Sequence, residues 1–139
     1  MDLEVTVISA QGLRNADGWI SATSDPYCIC QVAGPAGQTL RTSFSAKTVQ
    51  DSEHPVWNET GQIQLESGDQ RLEFQVWDKD QTKDELLGKA ALNCRRLRLG
   101  KPLETNVKLT GVHAAGSVRV RVRVLKKHDT IFSQCCCGR

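Results

Sequence analysis

Apolar and polar side chains alternate through most of the chain. Leu3, Val5 and Val7 alternate with Glu4 and Thr6, and Leu72, Phe74 and Val76 with Glu73 and Gln75. Val118, Val120, Val122 and Val124 alternate strictly with Arg119, Arg121 and Arg123. A period of two puts one set of side chains on a buried face and the other in water, the signature of a half-buried strand. These runs predict strands over 2–10, 26–32, 38–46, 56–65, 71–77, 87–91 and 103–109, and a last one over 116–125. Pro26 is tolerated because it opens its strand. Gly34-Pro35-Ala36-Gly37 and Ser67-Gly68-Asp69 are turn signals. The only helix the pattern allows is a short one near 95–99. Eight short strands separated by turns predict an all-β fold, an eight-stranded antiparallel β-sandwich.

A chain of 139 residues suits one domain with a real core. The strand pattern covers 1–127, and 128–139 lacks periodicity and reads as a C-terminal tail. A net charge of +2 singles out no partner: nothing points to nucleic acid, and a monomer is expected. No stretch approaches the ~20 apolar residues of a membrane span, and the acidic start Met1-Asp2-Leu3-Glu4 is unlike a secretory signal. A cytoplasmic protein with reduced thiols follows. Cys28 and Cys30 share a strand face and read as buried thiols, and no Cys or His pair has zinc-finger spacing. His54, His113 and His128 are scattered, no Ser/His/Asp arrangement is visible, and no enzyme is expected.

The acids are placed less evenly. Asp78, Asp80, Asp84 and Glu85 fall within one short run directly after the strand that ends near Trp77. If the period of two continues, Asp78 and Asp80 point the same way. Two unit charges at ~4 Å repel by roughly 4 kcal/mol near a protein surface, so such crowding calls for a cation. Asp17 and Asp25 lie in the connection between the first two strands. In an antiparallel sandwich alternate connections share one end, so these six acids can meet. Calcium takes 6–8 oxygen ligands, which carboxylates, carbonyls and water supply. The run is not an EF-hand, whose glycine and terminal glutamate would fall on Lys83 and Lys89.

Four motifs in order resemble the C2 domain family over nearly all of 1–127. They are Leu3 to Ala10 running on to Leu13; Ser24-Asp25-Pro26-Tyr27; His54-Pro55-Val56-Trp57-Asn58-Glu59; and Val76-Trp77-Asp78-Lys79-Asp80 with Leu86-Leu87-Gly88. The resemblance implies a Ca²⁺-dependent module that docks on anionic phospholipid membranes as a peripheral protein. It implies calcium ligands at Asp17, Asp25, Asp78, Asp80 and one of Asp84 or Glu85. Counting back from Gly88 favours Glu85, and Asp84 is its neighbour. Gly18 to Thr23 resembles the first loop of perforin-type C2 domains, which implies that Trp19 and Ile20 enter lipid. Residues 116–125 resemble the family's extra edge strand moved to the C-terminus, the type II arrangement.

Each of these readings has a plainer counterpart. Trp19 and Ile20 also suit packing of a long loop, and Arg119, Arg121 and Arg123 suit a solvated strand face as well as contact with anionic headgroups. Trp57 and Trp77 suit core or cross-strand packing. Cys135, Cys136 and Cys137 suit S-palmitoylation beside Ile131 and Phe132, or an inert tail. The rival to the calcium module is a Ca²⁺-independent protein-interaction scaffold anchored by that cysteine tail.

Overall fold

The computed structural model describes residues 1–14, 25–34, 36, 39–47, 49, 52–66 and 71–126. Its strands are β1 (Asp2–Gln11), β2 (Pro26–Ala33), β3 (Thr39–Ala46), β4 (Val56–Gln64), β5 (Arg71–Asp78), β6 (Glu85–Asn93), β7 (Leu103–Lys108) and β8 (Ser117–Lys126). They form two four-stranded sheets, ordered β4-β1-β8-β7 and β3-β2-β5-β6, with every neighbouring pair antiparallel. The predicted sandwich is therefore the observed one. The short helix is a single 3₁₀ turn at Cys94–Arg96, capped by Asn93, whose Oδ1 accepts the Arg95 N–H at 2.9 Å.

The alternation builds the core. Leu3, Val5 and Val7 of β1 and the four valines of β8 face Cys28, Cys30, Leu72, Phe74, Val76 and Leu87 from the other sheet, all buried. Cys94 is buried with them. Trp57 is buried, and half-buried Trp77 donates its indole N–H to Gln75 Oε1 at 3.0 Å.

Two features depart from the sequence pattern. The last strand is not an edge strand: β8 lies between β1 and β7. Its outward arginines meet acids on both flanks, Arg123 with Glu4 of β1 at 3.1 Å and Arg119 with Glu104 of β7 at 2.6 Å. The second departure is an irregularity around Ile8, where β4 carries the extra residue against β1 and β1 carries the extra residue against β8. Val7 pairs with Glu59 but Ser9 with Val56, and against β8 Val7 pairs with Val120 but Ser9 with Arg119. The inward set consequently runs 3, 5, 7 and then 10, with Ala10 buried in place of Ser9. Asn58, opposite the irregularity, takes a φ of 50°, as bulged residues often do.

The antiparallel order sends the connections after β1, β3, β5 and β7 out at one end. The Ala10 N–H bonds the Pro55 carbonyl at 3.0 Å and the Leu13 N–H the Glu53 carbonyl at 3.2 Å, tying the first two of these together. The turn before β8 is fastened to them through Gly116. Its φ is +88°, and a Cβ there would run into the Gln11 carbonyl oxygen and lie 2.7 Å from the Gly12 carbonyl carbon. At the opposite end Asp2 pairs with both Gln64 and Lys126.

Candidate metal centre

The period of two in β5 turns Leu72, Phe74, Val76 and finally Asp78 inward. Asp78 is thus a carboxylate at the end of a core-facing row, 6% exposed. Its Oδ1 accepts the Asp25 N–H at 2.7 Å, and the Lys79 N–H donates to the Asp25 carbonyl at 2.9 Å. Two bonds therefore clip the end of the first connection onto the end of β5, in register with the Pro26–Asp78 pair.

The alternation stops there. β5 ends at Asp78, and Asp80 sits beyond it, exposed, so the pleat does not carry its side chain into line with Asp78. Asp80 Oδ1 accepts the Gln81 N–H at 2.6 Å, while the Asp80 N–H donates to Asp84 Oδ1 at 3.0 Å. The other Asp84 oxygen accepts the Tyr27 hydroxyl at 2.6 Å, with the Lys79 ammonium 4.0 Å away. The Tyr27 hydroxyl, then the Asp80 N–H, hold the Asp84 carboxyl below the usual carboxylate range. Burial, then the Asp84 bond and charge, push Tyr27 from its ordinary 10.0 up to about 12.

These shifts have opposite signs for stability. Asp84, depressed in the fold, stabilises above its unfolded pKa, and this is lost as pH falls through the folded value. Tyr27, raised in the fold, stabilises below its ordinary pKa, and this is lost as pH rises toward about 12. Tyr27→Phe is expected to move the Asp84 pKa back up toward the ordinary range in metal-free protein, read by carboxyl ¹³C titration. An unmoved pKa would exclude the hydroxyl as the cause.

Glu85 takes another direction. It opens β6, and its Oε2 accepts from Arg14 Nη2 at 2.9 Å. The same nitrogen donates to the Leu86 carbonyl at 3.0 Å. The two acids that compete for one place in the sequence therefore separate: Asp84 bonds Asp80 and Tyr27, and Glu85 bonds Arg14. Neither Arg14 nor the Tyr27 hydroxyl was identified from the sequence. The available signal for Arg14 was that it is the only basic residue between Gly12 and Asp25.

Asp25, Asp78, Asp80 and Asp84 thus lie along the joined ends of β2 and β5, with oxygen as the only donor type, the chemistry a hard cation prefers. Among the described residues, no three His, Cys, Asp or Glu side chains are grouped closely enough to hold one ion. Asp17, Trp19 and Ile20 of the first connection, and Cys135, Cys136 and Cys137, lie outside the described residues. Beside the site Tyr27, Ser45, Ala46, Lys47 and Lys79 line a cavity of about 270 Å³. Arg119 is engaged by Glu104 and Asn106 and Arg123 by Glu4, while Arg121 is exposed on the same outer face.

The family model for the C2 domain matches residues 1–109, which include every described acid of the site. The chain belongs to the C2 domain family. Human cytosolic phospholipase A2 delta is 34% identical over 103 residues, 73% of this chain and 12% of that protein. Tricalbin-2 of Saccharomyces cerevisiae is 36% identical over 97 residues, 68% of this chain and 8% of that protein. A calcium-bound structure of two C2 domains of extended synaptotagmin 2 superposes with a TM-score of 0.71 at 26% identity, covering 88% of this chain and 44% of that one. The chain spans about a tenth of the curated relatives it matches. The name phospholipase belongs to the whole of that relative, and the region shared is the C2 domain, a module that binds. Among the described residues no helix is long and apolar enough to cross a membrane.

Proposed function

We propose that this C2 domain is a calcium-dependent phospholipid-binding module that works in the cytoplasm and docks on anionic membranes. The observation that carries the reading is the clip of Asp25 onto Asp78 and Lys79, which brings acids from two separate connections to one edge. Asp25, Asp78, Asp80 and Asp84 are the proposed ligands among the described residues, and Asp17 is the proposed contribution of the first connection. Calcium, when bound, supplies a divalent positive centre whose remaining coordination positions take headgroup oxygens.

The residues of the chain divide the remaining work. Asp78, fixed by the Asp25 N–H, is the rigid part of the cradle, because its carboxylate is buried at a strand end. Asp80 and Asp84, exposed and half-buried in the bend, are the adaptable part. Without a cation their charge opposes an anionic surface, and neutralising it removes that repulsion. Lys47 and Lys79, flanking the neighbouring cavity, offer donors for headgroup phosphate. Trp19 and Ile20 are the proposed residues for shallow insertion.

Sedimentation with phosphatidylserine vesicles tests the reading. The protein is expected to pellet with vesicles in calcium and to return to the supernatant with chelator. Equal sedimentation with and without calcium would favour a calcium-independent scaffold, anchored by lipid on Cys135, Cys136 or Cys137.

A further inference from the structure

The connection from β6 to β7 lies at the pole opposite the acidic bend, because β6 carries the chain away from that bend over nine residues. From Leu86 to Leu103 the sequence holds no acid, and Arg96, Arg98 and Lys101 are exposed on this connection. The acids of the neighbouring strands are already engaged, Glu104 by Arg119 and Glu4 by Arg123. Asp2 lies opposite Lys126 in the register of β1 with β8. Among the described residues, no carboxylate pairs with the side chains of Arg96, Arg98 or Lys101.

Arg98 and Lys101 face each other across a tight turn, closed by the Lys101 N–H donating to the Arg98 carbonyl at 3.2 Å. Gly100 takes a φ of +82°, as the third position of a type II turn requires. The other corner is Leu99, 58% exposed, which bridges to Val124 of β8. A large apolar side chain at a turn corner runs against the polar preference of such positions. Between the turn and the end of β8 lies a cavity of about 440 Å³, lined by Leu99, Gly100, Pro102, Val124, Leu125 and the glutamate-bound Arg123. Leu125 is itself 36% exposed. The cleft is therefore apolar within and basic at its rim, where Arg98 and Lys101 flank the turn corners and Lys126 follows Leu125.

We infer that this cleft is a docking site for an acidic peptide segment of a partner protein. One large apolar side chain of the segment seats between Leu99 and Leu125, and its carboxylates meet Arg98 and Lys101. Charge complementarity selects this occupant. A bilayer presents its charge as a plane, which meets the rim of a recess without filling it. The chain's own residues 127–139 carry one acid, Asp129, against Lys127 and Arg139, and so offer no complementary charge. The turn is fixed by its own backbone bond and by β8, so docking orders little of the domain. The site stands apart from the calcium reading: the acidic bend repels the segment that this pole attracts.

Fluorescence anisotropy of the fluorescein-labelled peptide Glu-Glu-Asp-Leu-Phe-Glu-Asp-Glu with the full chain, in chelator, tests the site. Binding is expected to saturate, and to weaken when the peptide's acids become amides or its Leu-Phe becomes Ala-Ala. Arg98→Gln combined with Lys101→Gln is expected to weaken it by about fivefold to tenfold, the scale of two exposed ion pairs. Leu99→Ser is expected to weaken it by about fivefold through lost apolar contact. Lys108→Gln, at the far end of β7, is expected to leave it unchanged, which separates the cleft from bulk charge. All four positions are exposed, and thermal melts matching the parent confirm that each variant is folded.

A peptide that does not saturate, or that binds the Arg98→Gln, Lys101→Gln protein as tightly as the parent, overturns the inference. Phosphatidylserine vesicles that pellet the parent in chelator, and release it on the same double change, assign this pole to a bilayer and overturn it as well. Neither result bears on calcium at the opposite pole.

Discussion

Changing Asp78 and Asp80 together to asparagine is expected to abolish calcium-dependent sedimentation with phosphatidylserine vesicles. The two positions differ, and the double change uses both. Asp78 is 6% exposed and held by the Asp25 N–H at 2.7 Å. Asparagine keeps an oxygen to accept that bond, so the clip between the two connections survives while the charge is lost. Asp80 is exposed and bonds the Gln81 N–H at 2.6 Å, a contact asparagine also preserves. What changes is the charge, and at ~4 Å each unit charge is worth roughly 4 kcal/mol near a protein surface. Calcium affinity is expected to fall by more than about a hundredfold, since about 1.4 kcal/mol is already tenfold. The melting temperature without calcium should hold or rise, because like charges have been removed. A variant that still pellets in calcium and releases in chelator would sink the acidic site as the basis of membrane docking.

The second large effect is expected at Gly116. Its φ of +88° belongs to the left-handed region, and an added Cβ meets backbone atoms of Gln11 and Gly12. Backbone cannot rotate out of the way as the end of a flexible side chain does. Gly116→Ala combines an unfavourable φ with overpacking, about 2–5 kcal/mol together. For a chain of 139 residues that is a fall in Tm of roughly 7–17 °C. Urea unfolding followed by tryptophan fluorescence measures it, and a loss under about 1 kcal/mol would mean that the turn and the first connection are not in the contact described.

The strands were legible because burial on one face writes a period of two directly into the sequence, as Val118, Val120, Val122 and Val124 show. Their neighbours were less so. Nothing in the alternation of β8 reveals that both its backbone edges are paired, although the acids that receive its arginines, Glu4 and Glu104, stand on separate strands. The irregularity at Ile8 arises from the registers of β1 with β4 and β8, a property of pairs of strands and not of one segment. The same limit applied to the acids. That the connections carrying Asp25 and Asp78 meet at one end could be read, but the end of β5 at Asp78 changed the direction of Asp80. The partition of Asp84 to Tyr27 and Glu85 to Arg14 depends on side chains 57 and 71 residues away. Sequence counting sees spacing along the chain, whereas a charge is held by whatever the fold brings beside it.

The placement of Asp2 and Lys126 side by side, at the pole opposite the acidic bend, fixes how the molecule can be handled. A ten-residue strand rising about 3.3 Å per residue puts roughly 30 Å between that pole and the acids. A fluorophore or surface linker attached there therefore reports on, or immobilises, the domain without covering the acidic end proposed above to meet lipid. A donor dye at that pole and acceptors in the bilayer would turn the length of one strand into a ruler for the docking angle.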